Sequence, residues 1–481
     1  MSICRTIVVG ACCLAPLMAV QGAEWSQFRG PNNGGITEAA PLPTEWSAEK
    51  NVQWKVAIPG AAWSCPVVWG DQVFVTTAIT EKQQKPKPGG GFGGGPPGGF
   101  GRRGGPGGGP PGGGPGGPPG GRGERGRGGF GRGGMGGGGP PPDVMYRFEL
   151  HCLDRASGKT LWTQVATERK PTIPIHSTNT YASETPIVDG ERIYASFGMH
   201  GIFCYDLSGK RIWEKDLGSF PMQMGWGTGS SPALEGDRLF VQCDNEQESF
   251  LAALDKRDGS EIWRVKRDER SSWSTPYIWR LKGKTQVVAC GGNRIRAYDP
   301  ADGKLIWELG GISGGVNATP VANDQLLYVG SGGPFGNSPL FAVKASATGD
   351  ITLKEGETSN AGVAWSRTKA GPSMASPLLY EGRLYILEQR GGMVSCYDAK
   401  TGEPAYYRKR IPDAQGFTSS PWASHGKVFC LDDSGQTTVL KAGPEFEVLG
   451  QNKIGEMCWS TPAFADGTLL LRSIDHLYSI K

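Results

Sequence analysis

Apolar and polar positions alternate along most of the chain in short runs separated by glycine, proline and acidic turns, a two-residue period that predicts strands rather than helices. The pattern is clearest between residues 231 and 263. Ala233-Leu234 follows Ser231-Pro232 as a short apolar strand, and Glu235-Gly236-Asp237 turns the chain. Leu239-Phe240-Val241 forms a second strand, and Phe250-Leu251-Ala252-Ala253-Leu254-Asp255 a third. Asp258-Gly259 then makes a tight hairpin into Glu261-Ile262-Trp263, the fourth strand. A meander of this size cannot bury its own faces, so it must pack against copies of itself.

The copies are present. A Ser/Thr-Pro dipeptide or near variant recurs at Pro66, Pro186, Pro232, Pro276, Pro320, Pro377, Pro421 and Pro462. The spacing is 41–46 residues except for one interval of 57 and a first interval of 120. Repeats of this length with four strands each predict an all-β, eight-bladed propeller of antiparallel blades. An aromatic ring closes many of the units. Trp162, Trp213, Trp263, Trp307 and Tyr406 lie seven or eight residues after Asp154, Asp206, Asp255, Asp299 and Asp398. At that outer-strand position a large ring fills the wedge between neighbouring blades. The last unit, after Thr461-Pro462, has three strands and no fourth, whereas Val52-Gln53-Trp54-Lys55-Val56 is a fourth strand without its first three. The N-terminal strand, with Trp54 as its docking ring, is therefore expected to complete the last blade and leave the ring without edges.

Composition alters this picture at two places. Arg5 followed by an apolar run from Ile7 to Val20 and small residues at Gly22 and Ala23 reads as a secretory signal, residues 1–23, with cleavage after Gly22 fitting best. Val9-Gly10-Ala11-Cys12 has the form of a lipobox, but the apolar run ahead of it is too short for lipoprotein anchoring. No later stretch approaches the ~18 apolar residues of a membrane span, so the mature chain is expected to be exported, periplasmic or envelope-associated, and monomeric. The second place is residues 82–143, an insertion rich in Gly, Pro and Arg, which interrupts the first unit between its second and third strands. Within it, residues 88–142 carry six arginines against Glu124 alone, so the remainder of the chain is close to neutral and offers no basic binding face. That leaves 24–50 as an N-terminal arm and 51–481 as the propeller.

The phrase Leu254-Asp255-x-x-x-Gly259-x-x-x-Trp263 and its relatives resemble the tryptophan-docking repeat of pyrroloquinoline quinone (PQQ)-type propellers. That superfamily includes quinoprotein alcohol dehydrogenases and the BamB assembly lipoprotein. Trp25-Ser26-Gln27-Phe28-Arg29-Gly30-Pro31 resembles the opening of PQQ-like repeat proteins of planctomycete-type bacteria. The resemblance covers 24–481 apart from the insertion. It is specific for fold and poor for function, because this fold hosts enzymes and binders alike. For the dehydrogenases it implies a vicinal disulfide, a calcium held by Glu and Asn, and an Asp base. The only adjacent cysteines, Cys12-Cys13, fall in the signal, and no C-x-x-C-H motif or long active-site insertion occurs.

Eight further cysteines follow the signal. Cys152, Cys204 and Cys396 stand two residues before the repeat aspartate, where other units carry Ala253 and Ala297, so the slot reads as small and buried. Disulfides among the eight stay open at this level. The five histidines, His151, His176, His200, His425 and His476, are too scattered for a metal cluster. The segments leading into the innermost strands carry the candidate binding groups, because such loops converge at the mouth of a propeller's channel. His176, Asn179, Tyr181, Glu184, Trp226, Trp273 and Asn317 supply aromatic plates and polar groups suited to a planar or sugar-like ligand. The plainer reading is that they pack the channel and cap strand ends. Asp244-Asn245-Glu246 is either a cation ligand set or a solvated turn.

The insertion contains Arg103-Gly104-Gly105, Arg127-Gly128-Gly129-Phe130 and Arg132-Gly133-Gly134, similar to RGG boxes. In an exported protein they fit weak contact with anionic polymers or membrane headgroups, not specific nucleic-acid binding. The reading that follows is a non-enzymatic binding or scaffold module of the cell envelope, engaging a protein or small ligand through its loop-rich face. The alternative is a PQQ- or metal-dependent oxidoreductase, similar to alcohol or sugar dehydrogenases, with PQQ and calcium at the channel mouth.

Overall fold

A computed structural model describes residues 24–31, 33–86, 139–332 and 338–481. The expected signal, 1–23, and the body of the insertion, 87–138, lie outside the described residues. The described chain folds into eight antiparallel sheets arranged as the blades of a propeller. Blade 3 shows the unit: Ala233–Glu235, Arg238–Cys243, Ser249–Asp255 and Glu261–Arg267 pair in chain order from the axis outward. The first strands run at Val67–Trp69, Ile187–Val188, Ala233–Glu235, Tyr277–Leu281, Val321–Ala322, Leu378–Tyr380, Trp422–Ser424 and Ala463–Ala465 for blades 1 to 8. Each is directly preceded by one of the eight repeat prolines. Blade 8 takes its fourth strand from the N-terminal side. Val52–Ala57 pairs antiparallel with His476–Ile480, with Val52 opposite Ile480 and Ala57 opposite His476. No helix among the described residues is long and apolar enough to cross a membrane.

The Ser/Thr-Pro dipeptides have a shared physical role. The residue before each proline hydrogen-bonds its counterpart in the next blade. The backbone N–H of Cys65 donates to Thr185 Oγ1 (3.0 Å), Thr185 to Ser231 Oγ (2.9 Å) and Ser231 to Thr275 Oγ1 (3.2 Å). Thr275 donates to Thr319 Oγ1 (3.3 Å), Thr319 to Ser376 Oγ (3.0 Å), Ser376 to Ser420 Oγ (3.0 Å) and Ser420 to Thr461 Oγ1 (3.0 Å). The eighth link falls on Cys65, whose sulfur faces the Thr461 N–H. Proline holds the preceding residue extended and has no N–H of its own to satisfy. A hydroxyl one residue earlier is thus the acceptor that turns eight sheets into one girdle.

A second ring of contacts lies outside it. The indole N–H of Trp54 donates to Arg155 O (2.9 Å), Trp162 to Leu207 O (3.2 Å), Trp213 to Lys256 O (3.1 Å) and Trp263 to Pro300 O (3.1 Å). Each acceptor lies in the third turn of the following blade. There a glycine meets the ring: a Cβ on Gly259, at φ +72°, would stand 2.7 Å from Trp213. Trp307 departs from the pattern. It is wholly buried and donates to Gln286 Oε1 (2.9 Å) within its own blade. The physical reason is the longer turn of blade 5, whose Gly349–Asp350 pairs in parallel with Trp307 and Glu308 as a fifth strand of blade 4. Trp365 docks instead in the next interface, on Ala399 O (3.1 Å) above Gly402. Sequence spacing misses it because Lys344 stands where other units carry the aspartate. Tyr406 packs edge-on against Phe446 (5.7 Å) and makes no such indole bond.

The N-terminal arm occupies the inner edge of the ring. Glu24–Trp25 pairs with Trp69 and Val68 on the axial side of blade 1, and Ser26 O accepts from Val188 N of blade 2 (2.9 Å). Further along, Gly35 O accepts from Ala423 N (3.0 Å) and Thr37 N donates to Ala423 O (3.1 Å), both on the first strand of blade 7. The arm leaves past Tyr380, whose hydroxyl donates to Glu38 Oε1 (2.7 Å), and reaches blade 8.

Candidate functional site

The loops leading into blades 2 to 5 meet on one face, together with the turns between second and third strands. Asn179 Nδ2 donates to Trp226 O (2.8 Å) and Thr228 O (3.1 Å), while Asn179 Oδ1 accepts from Thr180 N (2.8 Å) and Ser183 Oγ (2.7 Å). Trp273 donates its indole N–H to Gly227 O (2.7 Å), and its ring lies 5.8 Å from that of Trp226. His176 stands perpendicular to Trp226 at 6.3 Å and pairs through Nδ1 with Thr178 Oγ1 (2.7 Å). Burial holds the His176 imidazole below its usual pKa. The structure thus brings His176, Asn179, Trp226 and Trp273 into one cluster, in which Asn179 and the Trp273 N–H are occupied by backbone groups.

The other three candidates lie apart. Tyr181 is buried against Tyr146 (5.0 Å) and donates to Ile173 O (3.0 Å), with desolvation raising its pKa. Asn317 turns toward Ser373 O (3.4 Å) between blades 5 and 6. Glu184 lies beneath the face, 1% exposed, and desolvation pushes its carboxyl up to about 7, against a bond from Thr228 that lowers it. It lines a cavity of about 50 Å³ with Ser196, Gly198, Thr228, Gln242 and Asp244. Other blades place Ser64, Ser230, Ser274, Ser419 or Ser460 in the Glu184 slot, two residues before the proline. Sequence reading misses a second aromatic pair at this face, Trp63 stacked on Trp459 at 5.4 Å. The signal was available: Trp63, Trp273, Asn317 and Trp459 all stand three residues before a repeat proline.

The residues present do not fit a quinone with its calcium. Asp244 is held by Arg267 through two bonds (2.8 and 3.1 Å), both side chains wholly buried. Asn245 Oδ1 accepts from Gln247 N and Glu248 N (2.8 and 2.7 Å), and Glu246 Oε1 accepts from Ser271 (2.8 Å), so this triplet faces three ways. Among the described residues no three His, Cys, Asp or Glu side chains converge as a cation site. The cavity is also far below the ~300 Å³ at which small-molecule sites begin. All eight described cysteines are free thiols, and none is adjacent to another. Cys152 and Cys204 are pushed to about 12 by burial, as inert core thiols are.

Comparison with known proteins places this geometry. Residues 146–333, from the third strand of blade 1 into blade 5, match the family described as outer membrane protein assembly factor BamB. No curated protein sequence matches the chain. Among solved structures, quinohemoprotein alcohol dehydrogenase from Comamonas testosteroni is similar over 96% of this chain and 81% of its own, with TM-score 0.55 and 10% identity. BamB from Moraxella catarrhalis is similar over 69% of this chain and 91% of its own, with TM-score 0.49 and 13% identity. The designed protein Ika8 is similar over 70% and 93%, with TM-score 0.47 and 10% identity. With its docking repeat, eight four-stranded blades and a family match over residues 146–333, the chain has the fold of the PQQ-like β-propellers.

Proposed function

We propose that this protein is a non-enzymatic binding or scaffold module, exported to the cell envelope, that engages a partner protein through its loop-rich face. One observation carries the reading. Met224 is 41% exposed and held at φ +50°, a left-handed conformation that costs a side-chain-bearing residue about 1–2 kcal/mol. The strain falls two residues before the half-buried Trp226, whose ring lies 5.8 Å from that of the half-buried Trp273. Strained backbone clusters at functional sites, and aromatic anchors ringed by internally satisfied polar groups suit a protein partner better than a polar small molecule. The description of the matching family, an assembly factor, accords with this use. The Ile7–Val20 apolar run supports export.

The test is affinity capture from the native envelope with the mature wild-type chain, with Met224→Asp/Trp273→Ala, and with Leu449→Asp on an outer strand. A partner captured by wild type and Leu449→Asp but lost from the double variant supports the reading. A stoichiometric quinone spectrum after incubation with PQQ and calcium, with dye reduction by alcohols or sugars, would establish the oxidoreductase alternative instead.

A further inference from the structure

The PQQ-like repeat leaves the opening phrase Trp25-Ser26-Gln27-Phe28-Arg29-Gly30-Pro31 unexplained, and the structure gives its arginine an unusual place. Arg29 has no exposed surface. Its neighbours in the arm bond the inner edges of blades 1, 2 and 7, and its own Nη2 donates to Pro377 O of blade 6 (2.7 Å) and to Gly34 O (3.2 Å). Contacts with blades on opposite sides of the ring put the guanidinium at the axis. Nε and Nη1 have no hydrogen-bond partner among the described residues, so three of the five guanidinium N–H bonds point at no acceptor.

A second buried guanidinium lies nearby. Arg472 donates to Ser64 O (3.1 Å), Ser64 Oγ (2.7 Å) and Thr76 O (2.9 Å), all neutral acceptors. Both arginines act electrostatically on the Cys65 thiol, and neither is paired with a carboxylate among the described residues. Desolvation lowers each to about 10, which leaves both charged at neutral pH. Two cations buried without a carboxylate partner among the described residues are a costly arrangement, since buried charges are ordinarily paired. The rest of the core pairs its buried cations: Arg267 with Asp244, Arg296 with Glu269.

We propose that the axial core beside Cys65 binds a small monovalent anion of the halide class, with Arg29 as its principal ligand and Arg472 adding charge. The tight packing about Arg29 favours a monatomic ion over a carboxylate or phosphate. Binding requires no proton transfer and leaves the loop-rich face untouched, so the proposal stands apart from the reading of that face.

The probe is bromide. Crystals of the mature chain grown in bromide should show an anomalous peak in contact with Arg29 Nε or Nη1. Thermal midpoints should rise with halide and saturate, at constant ionic strength set with gluconate. Arg29→Met should lose the halide dependence. Water in place of bromide at Arg29, or a midpoint indifferent to halide in the wild-type chain, would overturn the proposal; both readouts hold even if the variant fails to fold.

Discussion

Ser376→Ala isolates a single link of the axial girdle. Ser376 Oγ accepts from the Thr319 N–H at 3.0 Å, and both residues are almost wholly buried. The substitution removes one oxygen and little volume, so packing changes little. What remains is a buried backbone N–H without an acceptor, a loss of about 1–3 kcal/mol. At ~2 kcal/mol the urea midpoint should fall with the slope unchanged. Exchange of the Thr319 amide should quicken about 30-fold, since 1.4 kcal/mol is tenfold. The thermal midpoint is a poor readout, because the unfolding entropy of so long a chain compresses the shift to ~2 °C. Ser376→Thr restores the hydroxyl in the form that Thr275 and Thr319 already use, and should recover most of the loss. If Ser376→Ala costs under about 0.5 kcal/mol and the Thr319 amide stays protected, the girdle is not what ties blade 5 to blade 6.

Gly259→Ala should destabilise by about 2 kcal/mol or more in urea unfolding, because its Cβ would meet the Trp213 ring at 2.7 Å and its φ is +72°. Glu184 titrates near 7 when folded and near 4.5 when unfolded, so the native state holds the extra proton between those values and loses stability as pH rises through that window. Glu184→Gln should therefore gain on wild type between about pH 5 and pH 8 by on the order of 3 kcal/mol, and a flat difference would refute the assignment. Met224→Gly should stabilise by about 1 kcal/mol through relief of its positive φ while weakening partner capture. The eight free thiols should resist a thiol reagent in the native state and all titrate after unfolding, so a shortfall in the unfolded count would reveal a disulfide.

The architecture was legible because each blade repeats its own instructions. Pro232, Gly259 and Trp263 mark one unit, and the same marks recur at nearly constant spacing. The closing strand could be found by subtraction, from three strands after Pro462 and an unmatched strand at Val52–Val56. Trp307 fills the wedge between blades 4 and 5 as its spacing predicts, but nothing around Asp299 reveals that its indole N–H bonds Gln286, because that depends on the lengthened turn of the following blade. The candidate face was half legible. Leading loops can be located from the prolines, but whether Asn179 faces solvent or Trp226 O depends on a neighbouring loop 47 residues away. Tyr181 and Asn317 stand in such loops, yet their side chains bond Ile173 O and Ser373 O apart from the His176 cluster.

Departures from the repeat are more informative than the repeat itself. A girdle of eight equivalent positions would be satisfied by Ser or Thr throughout, yet blade 1 carries Cys65, a weaker acceptor, and the two guanidiniums without a carboxylate partner among the described residues both act on its thiol. One residue earlier in each unit, seven blades carry Ser or Ala and blade 2 carries Glu184. A carboxyl in a slot that elsewhere holds a hydroxyl or a methyl costs desolvation that a serine would avoid. Neither exception improves the ring as a ring. Both fall in blades 1 and 2, which hold the start of the N-terminal arm, and the sequence of blade 1 also carries the insertion at 82–143. The asymmetry of the molecule is concentrated there, and substitutions in blades 1 and 2 should alter function at a smaller cost in stability than matching substitutions at Ser376 or Ser420. Paired urea unfolding and partner capture across Cys65→Ser, Glu184→Ser, Ser376→Ala and Ser420→Ala would decide it: equal stability losses with no difference in capture would mean that all eight blades are alike in role as well as in shape.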